Sequence, residues 1–187
     1  MNTRFLSLAL VATSLSPLAA QAQQAIVPAQ SEVSFTSRQM GVPVDGKFKT
    51  FSAQVAFDPA KLATSKIAFT VDTGSADIGR EANAEVVKPL WFNVAAFPKA
   101  TFQSSAIKRI DANKFEVAGK LSIKGVVSDV VVPVTLTQSG ANTTASGAFP
   151  IKRLSFRIGE KEWADTSMVA DEVQVKFKIA LTGVPKL

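Results

Sequence analysis

The chain has 187 residues, with 21 Lys and Arg against 15 Asp and Glu for a formal net charge of +6, and it contains no histidine, cysteine or tyrosine. Without imidazole or thiol there can be no Ser-His-Asp or Cys-His catalytic unit, no zinc site of the usual ligands and no disulfide. The lysines are spread along the chain, so the charge reads as a solvated exterior, with weak attraction to an anionic membrane surface as the functional alternative and no nucleic-acid partner.

Arg4 precedes an apolar run from Phe5 to Ala20 that is interrupted by Thr13, Ser14, Ser16 and Pro17, and Ala20-Gln21-Ala22 completes a small-residue cleavage pattern. A membrane anchor would need about 20 apolar residues without such interruptions. The expectation is a secretory signal peptide over residues 1–22, a mature domain over 23–187, and a periplasmic or secreted product. That length suits a single domain with a sizeable core.

Beyond the leader the sequence alternates. Apolar side chains recur every second residue over 33–35, 44–57, 67–71, 100–107, 115–123, 130–136, 145–151 and 173–181, which predicts eight strands, each with one wet and one buried face. Asp58-Pro59, Asp111-Ala112-Asn113, Lys124-Gly125 and Ser139-Gly140 separate them as turns, so antiparallel pairing is expected. Within 44–57 the phase slips, because Gly46 and Phe48 are even while Phe51, Ala53, Val55 and Phe57 are odd. One extra residue near Lys49-Thr50 predicts a bulge or sharp bend of the kind that curls a long strand. Pro133 brings no ladder donor and predicts an edge-like or locally open position.

Residues 77–91 break this rhythm. Asp77 is a candidate cap, Glu81 lies near the positive end, Ala82, Val86 and Leu90 share a face, and Pro89 ends the segment. A short helix between the third and fourth strands, lying across an opening of the sheet, is expected. Eight antiparallel strands can close into a barrel without exposed edges, and such a barrel is either filled by its side chains or holds one small ligand. The inward parity carries Phe35, Phe48, Phe69, Phe102, Phe115, Phe149 and Phe177, together with Val117, Val132, Val134, Val175 and Ile179. Trp91 and Phe92 follow the helix at the expected mouth. Parity leaves packed core and ligand cavity both open.

Catalysis would have to rest on carboxylates, of which Asp72, Asp77, Glu81, Glu85, Glu162 and Asp165 are candidates, but no nucleophile–base pair can be built. Trp163, in the polar stretch "GEKEWADT", is either an interface anchor, as on a packed barrel that works through its surface on another envelope protein, or a residue packed over the barrel end.

Two stretches narrow the choice: "WFNVAAFPKATFQSS" from Trp91 and "FEVAGKLSIKGVVSDVVVPVTL" from Phe115. With "MGVPVDGKFKTF" from Met40, "FDP" at Phe57 and "RLSFRIGEKEWADT" from Arg153, the chain resembles the YceI-like family over nearly all of its mature length. The resemblance implies an all-β, eight-stranded, antiparallel lipocalin-like barrel whose interior holds a long apolar molecule, such as a polyisoprenoid, an isoprenoid quinone or a fatty acid or amide. It implies a non-enzymatic binding protein with no cofactor beyond a bound lipid or quinone. Many members carry histidines where this chain has Gln30 and Gln39, so a role for those imidazoles does not carry over. The expected partner is a long-chain hydrophobic small molecule, and transient contact with a membrane surface or a membrane redox protein, and pairing as a homodimer, are left open.

Overall fold

The computed structural model describes residues 24–187, so the leader over 1–22 and its cleavage point lie outside the described residues. Eleven strands among the described residues form one antiparallel sheet: β1 (Ala25–Ile26), β2 (Glu32–Gln39), β3 (Val42–Phe48), β4 (Phe51–Ala56), β5 (Lys66–Asp72), β6 (Ala76–Asp77), β7 (Lys99–Arg109), β8 (Lys114–Ile123), β9 (Val126–Ser139), β10 (Asn142–Lys152) and β11 (Glu172–Thr182). Their order is β4-β5-β7-β8-β9-β10-β11-β2-β3-β6, with β1 added on β11.

The expected count of eight is therefore wrong, and the excess has a structural cause. The predicted strand over 44–57 is two strands, broken by a bend at Lys49 and Thr50, where the parity slip falls. At that bend the chain changes partners, since β3 pairs with β2 and β6 whereas β4 pairs with β5. The pass from β5 to β6 bends at the same corner through a 3-10 turn, Thr73–Ser75. Ser75 joins the two corners, its carbonyl accepting from Lys49 N and its hydroxyl from Thr50 N at 3.0 Å. The remaining extra strands are the two-residue β1 and β6, too short for periodicity to reveal.

Because β3 and β4 stand near opposite ends of the strand order yet follow one another in the chain, the sheet must curl. At the other end of the curl the Gln24 side chain binds both backbone groups of Phe57, donating to its carbonyl at 2.7 Å and accepting from its N–H at 2.9 Å. Strands β9 and β10 pair only over Thr135–Ser139 and Asn142–Ser146, while β9 from Val126 to Val134 pairs with β8 alone. Pro133, which brings no ladder donor, lies within this open seam, one residue past its start at Val134. Lys124 and Gly125, at φ 48° and 76°, supply the two left-handed residues of the tight β8–β9 turn.

The helix is shorter than its sequence pattern. It spans Arg80–Val86, because Asp77 is held in β6 opposite Lys47 and the residues after Val86 turn instead of continuing. Its N-cap is Gly79, at φ 116°, and not Asp77. Asp77 instead accepts from Asn83 Nδ2 and pairs with Lys49 at 2.8 Å. Among the described residues no helix is long and apolar enough to cross a membrane.

The apolar interior has two clusters. One gathers Phe57, Phe115, Val117, Leu136, Ile179, Leu181 and Val184 at the end where the chain terminates. The other gathers Ala76, Val86, Trp91, Leu121, Ile123, Phe156, Ile158 and Val169 beneath the helix and the β10–β11 connection. Phe48 and Phe102 touch both.

Candidate functional site

The curled sheet encloses two adjoining hollows. The inner one, about 200 Å³, is walled almost wholly by aliphatic and phenyl side chains of β2, β4, β5 and β7 to β11, with Thr101 and Thr143 its only polar residues. The outer one, about 800 Å³, lies between β2, β3, β10, β11, the helix and the segment after β10. Val33, Val71, Ala100, Leu121, Phe149 and Val175 line both. The polar residues of the outer hollow are Ser37, Gln39, Thr73, Arg80, Glu81, Glu85 and Arg153.

All fourteen residues singled out from the sequence line one hollow or the other. Phe69, Phe102, Phe115, Val117, Val132, Val134, Phe177 and Ile179 face the inner one, Phe35, Phe48, Trp91 and Phe92 the outer, and Phe149 and Val175 both. Further wall residues were not singled out, notably Leu121, Leu136, Ile67 and Val184. Of these, Leu121, Leu136 and Ile67 sit on the inward parity of their strands and could have been chosen there.

Hollows persist among so many phenyl rings because the rings lie against glycines. Phe35 stands opposite Gly46 and Phe177 opposite Gly147 across paired strands. A Cβ added at Gly46 would come within 2.4 Å of the Phe35 ring, one at Gly147 within 2.6 Å of Phe177, and one at Gly119 within 2.6 Å of Phe102. Each glycine gives up a side chain so that a neighbouring ring can fold onto the sheet, covering exposed backbone instead of projecting to the centre. Ring pairs continue the lining: Phe35 with Phe48 at 5.4 Å, Phe51 stacked on Phe69 at 5.7 Å, and Phe57 edge-on to Phe115 at 5.4 Å.

The wall below the outer hollow depends on Arg153, 2 % exposed. Its Nε donates to the Ala170 carbonyl, Nη1 to those of Ile158 and Gly159, and Nη2 to those of Trp163 and Val169, all within 3.0 Å. Five N–H groups meet five carbonyls, and the connection between β10 and β11 folds around one side chain. Burial pushes the guanidinium below its ordinary pKa, with the Asp171 charge acting the other way. Lys124, also buried, holds the same connection by donating to the Arg157 carbonyl and to Glu160 at 3.0 Å. Sequence reading passed over both residues, because a cation after a strand or in a turn reads as solvated.

Trp163 is half-buried, its ring 5.4 Å from that of Trp91, so it packs over the wall and is not a free surface anchor. Of the carboxylates considered for catalysis, Glu81 and Glu85 share the helix that lines the outer hollow, and the others are dispersed. Asp72 and Asp165 accept from nearby backbone, Asp77 and Glu85 pair with lysines, and Glu162 is exposed. Lys49 and then Asn83 hold Asp77 below its usual pKa, and Ser167 does so for Asp165. Among the described residues no group of three or more metal-ligating side chains comes together.

A curled antiparallel sheet around an apolar hollow leaves space of the kind in which a small barrel can hold one ligand. A YceI-like domain matches residues 25–181, and the chain belongs to that family. It is 50% identical to BcnA of Burkholderia cenocepacia, whose crystal structure superposes with a TM-score of 0.80 over 83% of this chain and 98% of that one. A polyisoprenoid binding domain from Saccharophagus degradans implicated in plant cell wall breakdown shares the fold, with TM-score 0.69, 13% identity, and coverage of 87% and 99%. A UPF0312 protein of Azotobacter vinelandii is 32% identical over 96 residues, 51% of this chain and 50% of that one. The chain thus spans about half the length of the curated relatives it matches first.

Proposed function

We propose that this protein is a non-catalytic carrier that holds one long apolar molecule, a polyisoprenoid, an isoprenoid quinone or a fatty acyl chain, inside a lipocalin-like barrel. The observation that carries this reading is the pair of adjoining hollows, the inner one closed in by apolar side chains and the outer one bearing polar groups on its lip. An amphiphile matches that gradient, with its tail inside and its head near Ser37, Gln39 and the helix. The polyisoprenoid-binding neighbour of the same fold supports this choice of ligand class.

The energetics suit a carrier. Burying a tail of about twenty carbons at roughly 0.8 kcal/mol per methylene gives on the order of 16 kcal/mol gross, against about 4–15 kcal/mol for lost freedom and ordering. Affinity then needs no polar anchor, and the lip chooses the head group. The sequence of residues 1–22 supports export and a periplasmic place of action, where a carrier would shuttle or scavenge lipids that water does not dissolve. The test is native mass spectrometry of the protein purified from its own periplasm, followed by solvent extraction. A lipid adduct released into the solvent is expected, and a bare protein mass with an empty extract would refute the reading.

A further inference from the structure

The wall of the outer hollow holds one buried polar atom that the fold leaves unmatched. Trp91 is 9 % exposed and lines this hollow, and among the described residues its indole Nε1 has no hydrogen-bond partner. A buried donor without an acceptor costs free energy that an incoming acceptor returns. Every other buried polar side-chain atom among the described residues is paired, so Trp91 marks the place where a ligand has a bond to offer.

The surroundings decide which acceptor suits it. The Arg153 guanidinium lies 5.9 Å from the Trp91 ring, but its five N–H groups are all committed to carbonyls. It contributes positive potential and no donor. A buried carboxylate or phosphate needs several donors to replace its hydration, and one indole N–H does not suffice. A single carbonyl or hydroxyl oxygen needs one, and its partial negative charge is favoured by the nearby cation. The Trp163 ring, 5.4 Å from that of Trp91, sits on a turn whose neighbours Lys161, Glu162, Ala164 and Asp165 are exposed. The Trp163 backbone carbonyl, not its indole, is what Arg153 holds, so the ring can swing without undoing the loop.

We propose that Trp91 Nε1 is the donor that receives a neutral oxygen at the head of the bound chain, with Trp163 moving aside to admit it. This makes Trp91 a specificity-determining residue that favours alcohols and ketones over acids and hydrocarbons. The inference rests on the carrier reading, and a matched trio of C20 isoprenoids separates the two: phytane, phytol and phytanic acid. In a ¹⁵N–¹H spectrum of the mature protein, with the two indole signals assigned by Trp163→Phe, phytol moves the Trp91 indole proton downfield and phytane does not. By calorimetry Trp91→Phe weakens phytol about tenfold more than it weakens phytane. Equal indole shifts with phytol and phytane, equal losses of both in Trp91→Phe, or phytanic acid binding more tightly than phytol would overturn the assignment while leaving the carrier intact. Failure of all three to bind the wild-type protein would remove the carrier reading and this inference with it.

Discussion

Replacing Phe177 with alanine asks whether the inward face of β11 meets a packed interior or a hollow. The Phe177 ring is backed by the sheet, lying over Gly147 and paired across to Val33 on the other side, and it lines the inner hollow. Removing a phenylalanine from a close-packed core costs roughly 3–5 kcal/mol. With contacts mainly on the wall side, about half of that should be lost, on the order of 2 kcal/mol. The same change enlarges the hollow, so a C20 chain that fits the wild type binds more weakly. Phe177→Trp should do the reverse, shortening the hollow and selecting shorter chains with little loss of stability, whereas added volume in a packed core costs about 1–3 kcal/mol. Urea unfolding midpoints and phytane affinities for both variants provide the readout. A full core-sized loss in both, with no lipid bound by the wild type, would show that the hollow is not a binding space.

Other perturbations have equally definite outcomes. Gly46→Ala places a Cβ whose three nearest neighbours are all atoms of the Phe35 ring, so the ring lifts into the outer hollow; ligand affinity should fall several-fold with a stability change within about 1–3 kcal/mol, measured by calorimetry and urea unfolding. Arg153→Met strands five carbonyls, and a loss of about 3–5 kcal/mol is expected, together with faster proteolysis between residues 157 and 168. The unfolding midpoint should be flat from pH 8 to pH 5, since the chain has no histidine. Asp77 and Asp165 are held below their usual pKa, so their stabilisation is complete above about pH 4 and is lost as the pH falls further through their folded values. Chelator treatment should change neither the melting temperature nor lipid affinity, and a drop of several degrees reversed by one metal would reveal a metal site.

The wall of the hollow was legible because the pleat enforces a period of two, and no tertiary contact can move Phe115 or Phe177 to the other face without slipping the whole strand. The corner at Lys49-Thr50 was half legible. The parity slip marked the position, but the exchange of partners from β2 and β6 to β5 is a property of the curled sheet as a whole. The helix was overlong in the sequence reading because Ala82, Val86 and Leu90 fit its period, and nothing local showed that β6 would claim Asp77. Arg153 was illegible, since its role comes from five carbonyls of a connection that exists only once β10 and β11 are paired. The unmatched indole of Trp91 has no sequence signature either, because the absence of a partner is a fact of packing.

A carrier of this design must seat a lipid tail in the inner hollow. Isotope-filtered NOE spectroscopy on the methyl-labelled mature protein with bound phytane tests that directly. Contacts from the chain protons to the methyls of Val117, Leu136, Ile179 and Val184, which wall that hollow, are the predicted result. Contacts confined to outward-facing methyls such as those of Met40, Val127 and Val131, which are 71 %, 57 % and 56 % exposed, would contradict it.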